Sequence, residues 1–442
     1  MATWSERDKK VVWHPFTQMR EWSRDPQLTI VRGDGPYLID DQGRRYLDGV
    51  SSLWCNVHGH NHPRLNQAVR GQLDQLAHST FLGLSHPPAI ELAENLVRVA
   101  PSGLTRVFYS DSGSAAVEIA LKMAFQYWQL RGTPRPRFLR MEHAYHGDTL
   151  GAVGVGGIEL FHRIFGPLIV RSIGVPSPTS AIDSGETPEA AMVRSLAALD
   201  SAIASHGHEV GALIMEPLVQ GAAGMLMHPP GFLRAVADRC RAADILLIVD
   251  EVATGFGRTG AMFACEHEDV RPDILCVAKG LTGGYLPLAA TLTTDAIYEA
   301  FLGERAEYKA FFHGHTFTAN PLACAVALES MAMLEESALD WSRDLARYLE
   351  RLLREFVAPL PFVGQIRQRG LMIGIELARP DRSPFPAEEF RGAKACDAAR
   401  KYGVILRPLG DVLVWMPPLT LTRDDADLLA HATIRGIEDS CG

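Results

Sequence analysis

The chain has 442 residues, 47% of them hydrophobic and 21% charged, and a formal charge of −9 at pH 7. That length allows two or three domains with a sizeable core. The acidic balance, without a cluster of lysine or arginine, excludes nucleic acid or an anionic membrane as the main partner, and no apolar run approaches the roughly 20 residues of a membrane span.

The N-terminal segment MATWSERDKKVVWH is polar and lacks the apolar core of a signal peptide. Seven cysteines (55, 240, 265, 276, 324, 396 and 441) are odd in number, scattered, and form no CxxC pair. They predict reduced thiols in a soluble, cytoplasmic protein rather than disulfides or a zinc site. PYLIDDQGRRYLDGV (36–50) predicts hairpin strands. In VHGHNHP (57–63), His58, His60 and His62 alternate, which on a strand would align three metal ligands. Gly59, Asn61 and Pro63 predict a turn instead, and no carboxylate or cysteine completes a set, so no metal is expected.

RVFYSDSG (106–113) predicts a strand that stops at Gly113, followed by a helix in which Val117, Leu121, Ala124 and Trp128 keep helical spacing. RFLRMEHAYHGD (137–148), VGALIMEP (210–217), ILLIVDE (245–251) and DILCVAKG (273–280) are short apolar runs that end in polar residues. This rhythm predicts an α/β fold, a mostly parallel sheet covered by helices on both faces. Ligands of such sheets sit off the carboxyl ends of the strands. Those ends carry Asp111 to Ser114, His143 to Asp148, Glu216, Asp250 and Lys279. PSPTSAIDSGETPE (176–189) reads as a polar surface excursion. Beyond residue 330, amphipathic helices such as WSRDLARYLERLLREFV precede two strand-like runs, LMIGIEL and VILRPLGDVLVWMPP. A smaller C-terminal α+β domain is expected, joined by the N-terminal segment, with divisions 1–60, 61–330 and 331–442.

A charge at the end of a buried strand needs a partner. Asp250 and Lys279 could be an ion pair between neighbouring strands. They could instead serve a cofactor with an electrophilic aldehyde and a basic ring nitrogen, which describes pyridoxal 5'-phosphate. The lysine would carry it as a Schiff base and then act as a proton-transfer base, while the aspartate holds the ring nitrogen protonated. Gly113 and Ser114, where a strand turns into a helix, offer N–H groups and a hydroxyl to a phosphate. Tyr145 offers a ring for stacking. The four in this order favour the cofactor.

The pair DEVATGFGRTG (250–260) and PDILCVAKGLTGG (272–284) resembles the signature of the class III, ω-amino acid type, aminotransferases. Within that class VWHPFTQM, SSLWCNVHGHNHP, HSTFLGLSHPPAIELAE, DSGSAAVEIALKMAFQYW, YHGDTLGAV, FACEH, HGHTFTANPLACA and RPLGDVLVWMPP are similar to the branch that aminates 8-amino-7-oxononanoate to 7,8-diaminononanoate for biotin biosynthesis. The resemblance runs from about residue 10 to 435. It implies a fold type I pyridoxal-phosphate transferase, with Lys279 as the Schiff-base lysine, Asp250 on the pyridine nitrogen, Tyr145 on the ring, and Gly113 and Ser114 on the phosphate. It further implies that Thr316 reaches the phosphate of a partner subunit, hence a homodimer with shared sites. Trp54 would line the substrate pocket, Arg407 would pair bidentately with the substrate carboxylate, and Gly314 would sit near the substrate. Glu216 and Arg258 would be supports, and Asp148 would orient an aromatic.

Phe16 stands where many members that use S-adenosylmethionine have tyrosine. With HSTFLGLSH, GGIELFH and RPLGDV, the variant is more similar to members that use L-lysine. One lost hydroxyl removes a hydrogen bond worth about 1 kcal/mol net, so both donors stay open. The competing readings are a class III enzyme acting on 4-aminobutyrate, ornithine or β-alanine, an aminomutase of the same fold, and a non-enzymatic cofactor-binding protein.

Overall fold

A computed structural model describes residues 2–24, 27–170, 172–179 and 186–442. Part of the expected surface excursion, 180–185, lies outside the described residues.

The apolar run at 245–249 becomes the strand Leu246–Asp250, buried at every residue. It lies parallel between Val210–Met215 and Ile274–Val277. The complete sheet has seven strands in the spatial order 104–110, 289–294, 274–277, 246–250, 210–215, 137–141, 173–175. Six run parallel and Ala289–Thr294 runs antiparallel between its two neighbours. Strands covered on both faces have no polar face to display, which is why these segments read as unbroken apolar runs. The strands Ile173–Val175 and Ala289–Thr294 gave no such signal: the first is three residues long, and the second, AATLTT, is half threonine and small.

The helix Gly113–Leu130 follows the first strand, and its expected stripe of Val117, Leu121, Ala124 and Trp128 is buried. Trp128 Nε1–H donates to the Gly211 carbonyl at 2.8 Å. A Cβ on Gly211 would lie 2.9 Å from the Trp128 ring, so the helix seats on the sheet only over a glycine.

Two smaller sheets involve the chain ends. Ile30–Asp34, Tyr37–Asp40 and Arg45–Asp48 form the expected hairpins, and Val404–Ile405 adds in parallel beside Leu47 and Asp48. The other sheet is antiparallel, in the order 363–369, 372–377, 412–415, 407–409. The run from 404 to 418 is thus three strands rather than one, because Gly410 at φ +59° turns Arg407–Leu409 back onto Val412–Trp415. The helix Pro321–Met333 continues through a π turn (334–338) into Leu339–Leu352, so residue 330 lies inside an unbroken helical stretch. No helix among the described residues is long and apolar enough to cross a membrane.

Candidate active site

The carboxyl ends of the parallel strands open onto a cavity of about 770 Å³. Gly113, Ser114, Tyr145, Asp148, Glu216, Asp250 and Lys279 line it, and Trp54 closes it from the N-terminal segment.

Lys279 follows the strand Ile274–Val277 with φ +42°, a left-handed conformation that a side-chain-bearing residue adopts at a cost. Its ammonium makes no hydrogen bond or ion pair among the described residues; the Trp54 ring lies 5.3 Å away. Burial lowers its pKa, against the opposing pull of Asp250 and Glu216. A simple Asp250–Lys279 ion pair does not form. Asp250 Oδ2 instead lies 2.6 Å from Nδ1 of the buried His146, and its Oδ1 accepts from the Val252 N–H at 3.0 Å. The sequence reading gathered His146 at this edge without giving it a role, since nothing in HAYHGD tells which of two histidines faces a strand two positions across the sheet.

The adjacent carboxylate, Glu251, turns away from the cavity. It accepts from Thr254 Oγ1 at 2.5 Å and from the Cys265 N–H at 2.8 Å, so it ties down its own loop. Arg258 is fully buried and donates to the carbonyls of Asn56 (2.8 Å) and Pro417 (2.5 Å), fastening the N-terminal segment to the C-terminal sheet.

At the start of the long helix, Ser112 caps the Ala115 N–H at 3.2 Å. The N–H groups of Gly113 and Ser114 meet no protein acceptor among the described residues. A Cβ on Gly113 would lie 2.5 Å from Val252 Cγ1, so a glycine lets the loop after Asp250 close against the helix start. Ser114 Oγ is bonded to Thr149, accepting from its N–H at 3.0 Å. This leaves open donors at the positive end of an 18-residue helix, the arrangement that receives a phosphate.

Tyr145 donates its hydroxyl to Asp148 at 2.9 Å, and burial raises its phenol pKa. Its N–H donates to Glu216 Oε2 at 3.1 Å, while the Gly221 N–H donates to Oε1 at 2.9 Å. Burial pushes the Glu216 carboxyl up from 4.5 to about 7. The folded state therefore holds this proton more tightly than the unfolded chain. The resulting stability is complete below about pH 4.5 and lost as pH rises through 7, a change of ~3 kcal/mol. Glu216→Gln is expected to flatten that part of the pH profile and to lose ~1–3 kcal/mol, because one N–H then faces an amide nitrogen. Urea midpoints of both proteins at pH 5 and pH 8 check it.

The remaining expected residues lie farther out. Phe16 is 61% exposed and contacts Phe161 at 5.4 Å, and Phe161 in turn lies 6.4 Å from Tyr145. Arg407 is half-buried, makes no ion pair among the described residues, and stands near enough for its charge to act on the Tyr145 phenol. Gly314 and Thr316 are exposed and do not line the cavity. His58 bonds Ser330, His60 bonds Asp48, and the His62 N–H bonds Tyr285, so the histidine cluster points three ways.

The aminotransferase class-III family model matches residues 18–435. The chain is 52% identical over 438 residues to an adenosylmethionine-8-amino-7-oxononanoate aminotransferase of Nitratidesulfovibrio vulgaris, covering 97% of this chain and 80% of the relative. It is 48% identical to the Geobacter sulfurreducens protein of the same name, over 98% of this chain and 97% of that one. The crystal structure of the Methanocaldococcus jannaschii protein of that name superposes with a TM-score of 0.93 at 43% identity, covering 99% and 98% of the two chains. An amine transaminase from an uncultivated Pseudomonas species, in its PLP-bound form, superposes with a TM-score of 0.92 at 38% identity over 97% and 98%. Strand ends, cavity and sequence agree: the chain belongs to the class III aminotransferases.

Proposed function

We propose that this chain transfers an amino group to 8-amino-7-oxononanoate, giving 7,8-diaminononanoate, with pyridoxal 5'-phosphate as cofactor. The observation that carries the reading is Lys279, a buried ammonium with no hydrogen bond or ion pair among the described residues, set near a carboxylate that already has its own partner. The donor set fits the cofactor: Lys279 for the aldehyde, Asp250 for the ring nitrogen, Tyr145 for the ring face, and the Gly113 and Ser114 N–H groups for the phosphate. When bound, the cofactor supplies an electrophilic carbonyl and a sink for negative charge at the substrate carbon.

The protein's own groups do the rest. The lowered pKa of Lys279 increases its neutral fraction, so that its amine would act as the base that takes the proton from the substrate carbon. His146 and the Val252 N–H hold Asp250 in one orientation. Arg407, which makes no ion pair among the described residues, would receive the substrate carboxylate, while Trp54 would keep water from the amine. Thr316 and Gly314, exposed here, would complete the site of a second subunit in a homodimer. The seven free cysteines suit a reducing, cytoplasmic setting. The partition at 60 and 330 is likewise proposed as one of folding units.

The names of the relatives support S-adenosylmethionine as donor, and Phe16 in place of a tyrosine supports L-lysine. The loaded protein given each donor separately, with 8-amino-7-oxononanoate, is expected to release 7,8-diaminononanoate detectable by mass spectrometry. Product with S-adenosylmethionine makes the hydroxyl missing at Phe16 dispensable, and product with lysine alone makes Phe16 a donor marker. Product with neither overturns the acceptor.

A further inference from the structure

Of the histidine cluster, His60 is the member whose contacts lead back to the cavity. Its backbone is pinned on both sides by Gly35, the two N–H groups donating to the opposite carbonyls at 2.6 and 3.1 Å. The ring sits over Gly33, where a Cβ would lie 2.4 Å from the His60 Cβ. Asn56 Oδ1 accepts from the Gly59 N–H at 2.8 Å, which turns Asn56 Nδ2 toward His60 Nδ1 at 3.2 Å. An amide nitrogen only donates, so Nδ1 accepts and Nε2 carries the hydrogen. That N–H reaches Asp48 Oδ2 at 2.9 Å.

Asp48 is wholly buried, and among the described residues its carboxylate's other hydrogen bonds are both with Ser52: the N–H at 2.8 Å and the hydroxyl at 2.9 Å. Ser52 lies at φ +60°, ψ −81°, the conformation of a γ-turn that side chains avoid. Ser51 and Trp54 are left-handed as well, at φ +51° and +64°. Such a segment persists only where its surroundings over-determine it. The segment ends in Trp54, whose ring lies between the Lys279 ammonium and Gly221, where a Cβ would be 3.3 Å from the ring. The sequence Ser51–Trp54 thus trades backbone strain for the placement of one indole.

We infer that His60 is a positioning residue of the active site: through Asp48 and Ser52 it holds the strained turn that sets the Trp54 ring over Lys279. This rests on the reading of Lys279 given above, and the test separates the two. His60→Met removes the N–H donor. In the cofactor-free full-length chain it is expected to speed acetylation of Lys279 by acetic anhydride several-fold, followed by peptide mass spectrometry. In the loaded enzyme it is expected to raise KM for 8-amino-7-oxononanoate about tenfold with little change in kcat. His60→Gln, whose amide N–H can reach the same carboxylate, should leave both values near wild type. Adding Ser52→Gly to His60→Met should recover much of the loss, since glycine takes φ +60° without strain.

If His60→Met does not accumulate, Ser52→Ala, which deletes one of the two bonds to Asp48, is measured in its place. A lowered melting temperature with unchanged labelling and unchanged KM would overturn the proposal. Labelling needs no substrate, so an incorrect substrate leaves that arm intact.

Discussion

Lys279→Ala is expected to abolish turnover, by on the order of 10⁴-fold or more, in a protein that still folds. The reason is specific to this site. No second amine shares the lining of the cavity, whose residues include a single lysine. The loss should therefore not be shared with a neighbour, as it would be in a network of bases. Stability should move the other way. Burial lowers the Lys279 pKa, so the folded protein holds fewer protons than the unfolded chain between its own lowered value and the ordinary 10.5. Wild-type stability consequently rises with pH through that window, and the cost of burying the ammonium is largest below it. Lys279→Ala removes that cost and the slope with it. Urea midpoints of the two cofactor-free proteins, followed from neutral to alkaline pH, should converge as pH approaches 10.5. Appreciable turnover by the alanine variant would remove Lys279 from its assigned role.

Asp250→Asn is expected to weaken cofactor retention and to lower turnover by on the order of 10²-fold or more. The amide keeps the size of the side chain but not its charge, so it can no longer hold a ring nitrogen protonated. It also takes away the negative charge that supports protonation of Lys279, so the pKa of that lysine should fall further. The two effects are separable. Equilibrium dialysis against pyridoxal 5'-phosphate reads the first, and the pH dependence of Lys279 acetylation reads the second. Retention and turnover equal to wild type would show that Asp250 serves His146 alone.

The parts of this site legible in sequence are those written in short contiguous runs. ILLIVD and DILCVAK announce their own strands, and their terminal charges stand out against the apolar residues that precede them. SDSG announces a strand turning into a capped helix. In each, the residue with the chemistry adjoins the segment that positions it. What could not be read depends on contacts across the chain. The bond from His146 to Asp250 joins residues 104 apart in sequence. The support of Trp54 by His60 passes through two other side chains and a left-handed backbone that serine does not advertise. The hairpin at Gly410 was hidden because one largely apolar run served three strands. Arg407 shows the same limit from the other side: its sequence neighbours mark it as a strand-end arginine, and only its place near Tyr145 suggests which carboxylate it awaits.

The most direct measurement is reduction of the cofactor-loaded protein with sodium borohydride, followed by digestion and mass spectrometry of every lysine-containing peptide. A phosphopyridoxyl adduct on Lys279, in the peptide that includes LTGGYLPLAATL, is the predicted result. An adduct confined to another lysine, with Lys279 unmodified, would contradict the account at its centre.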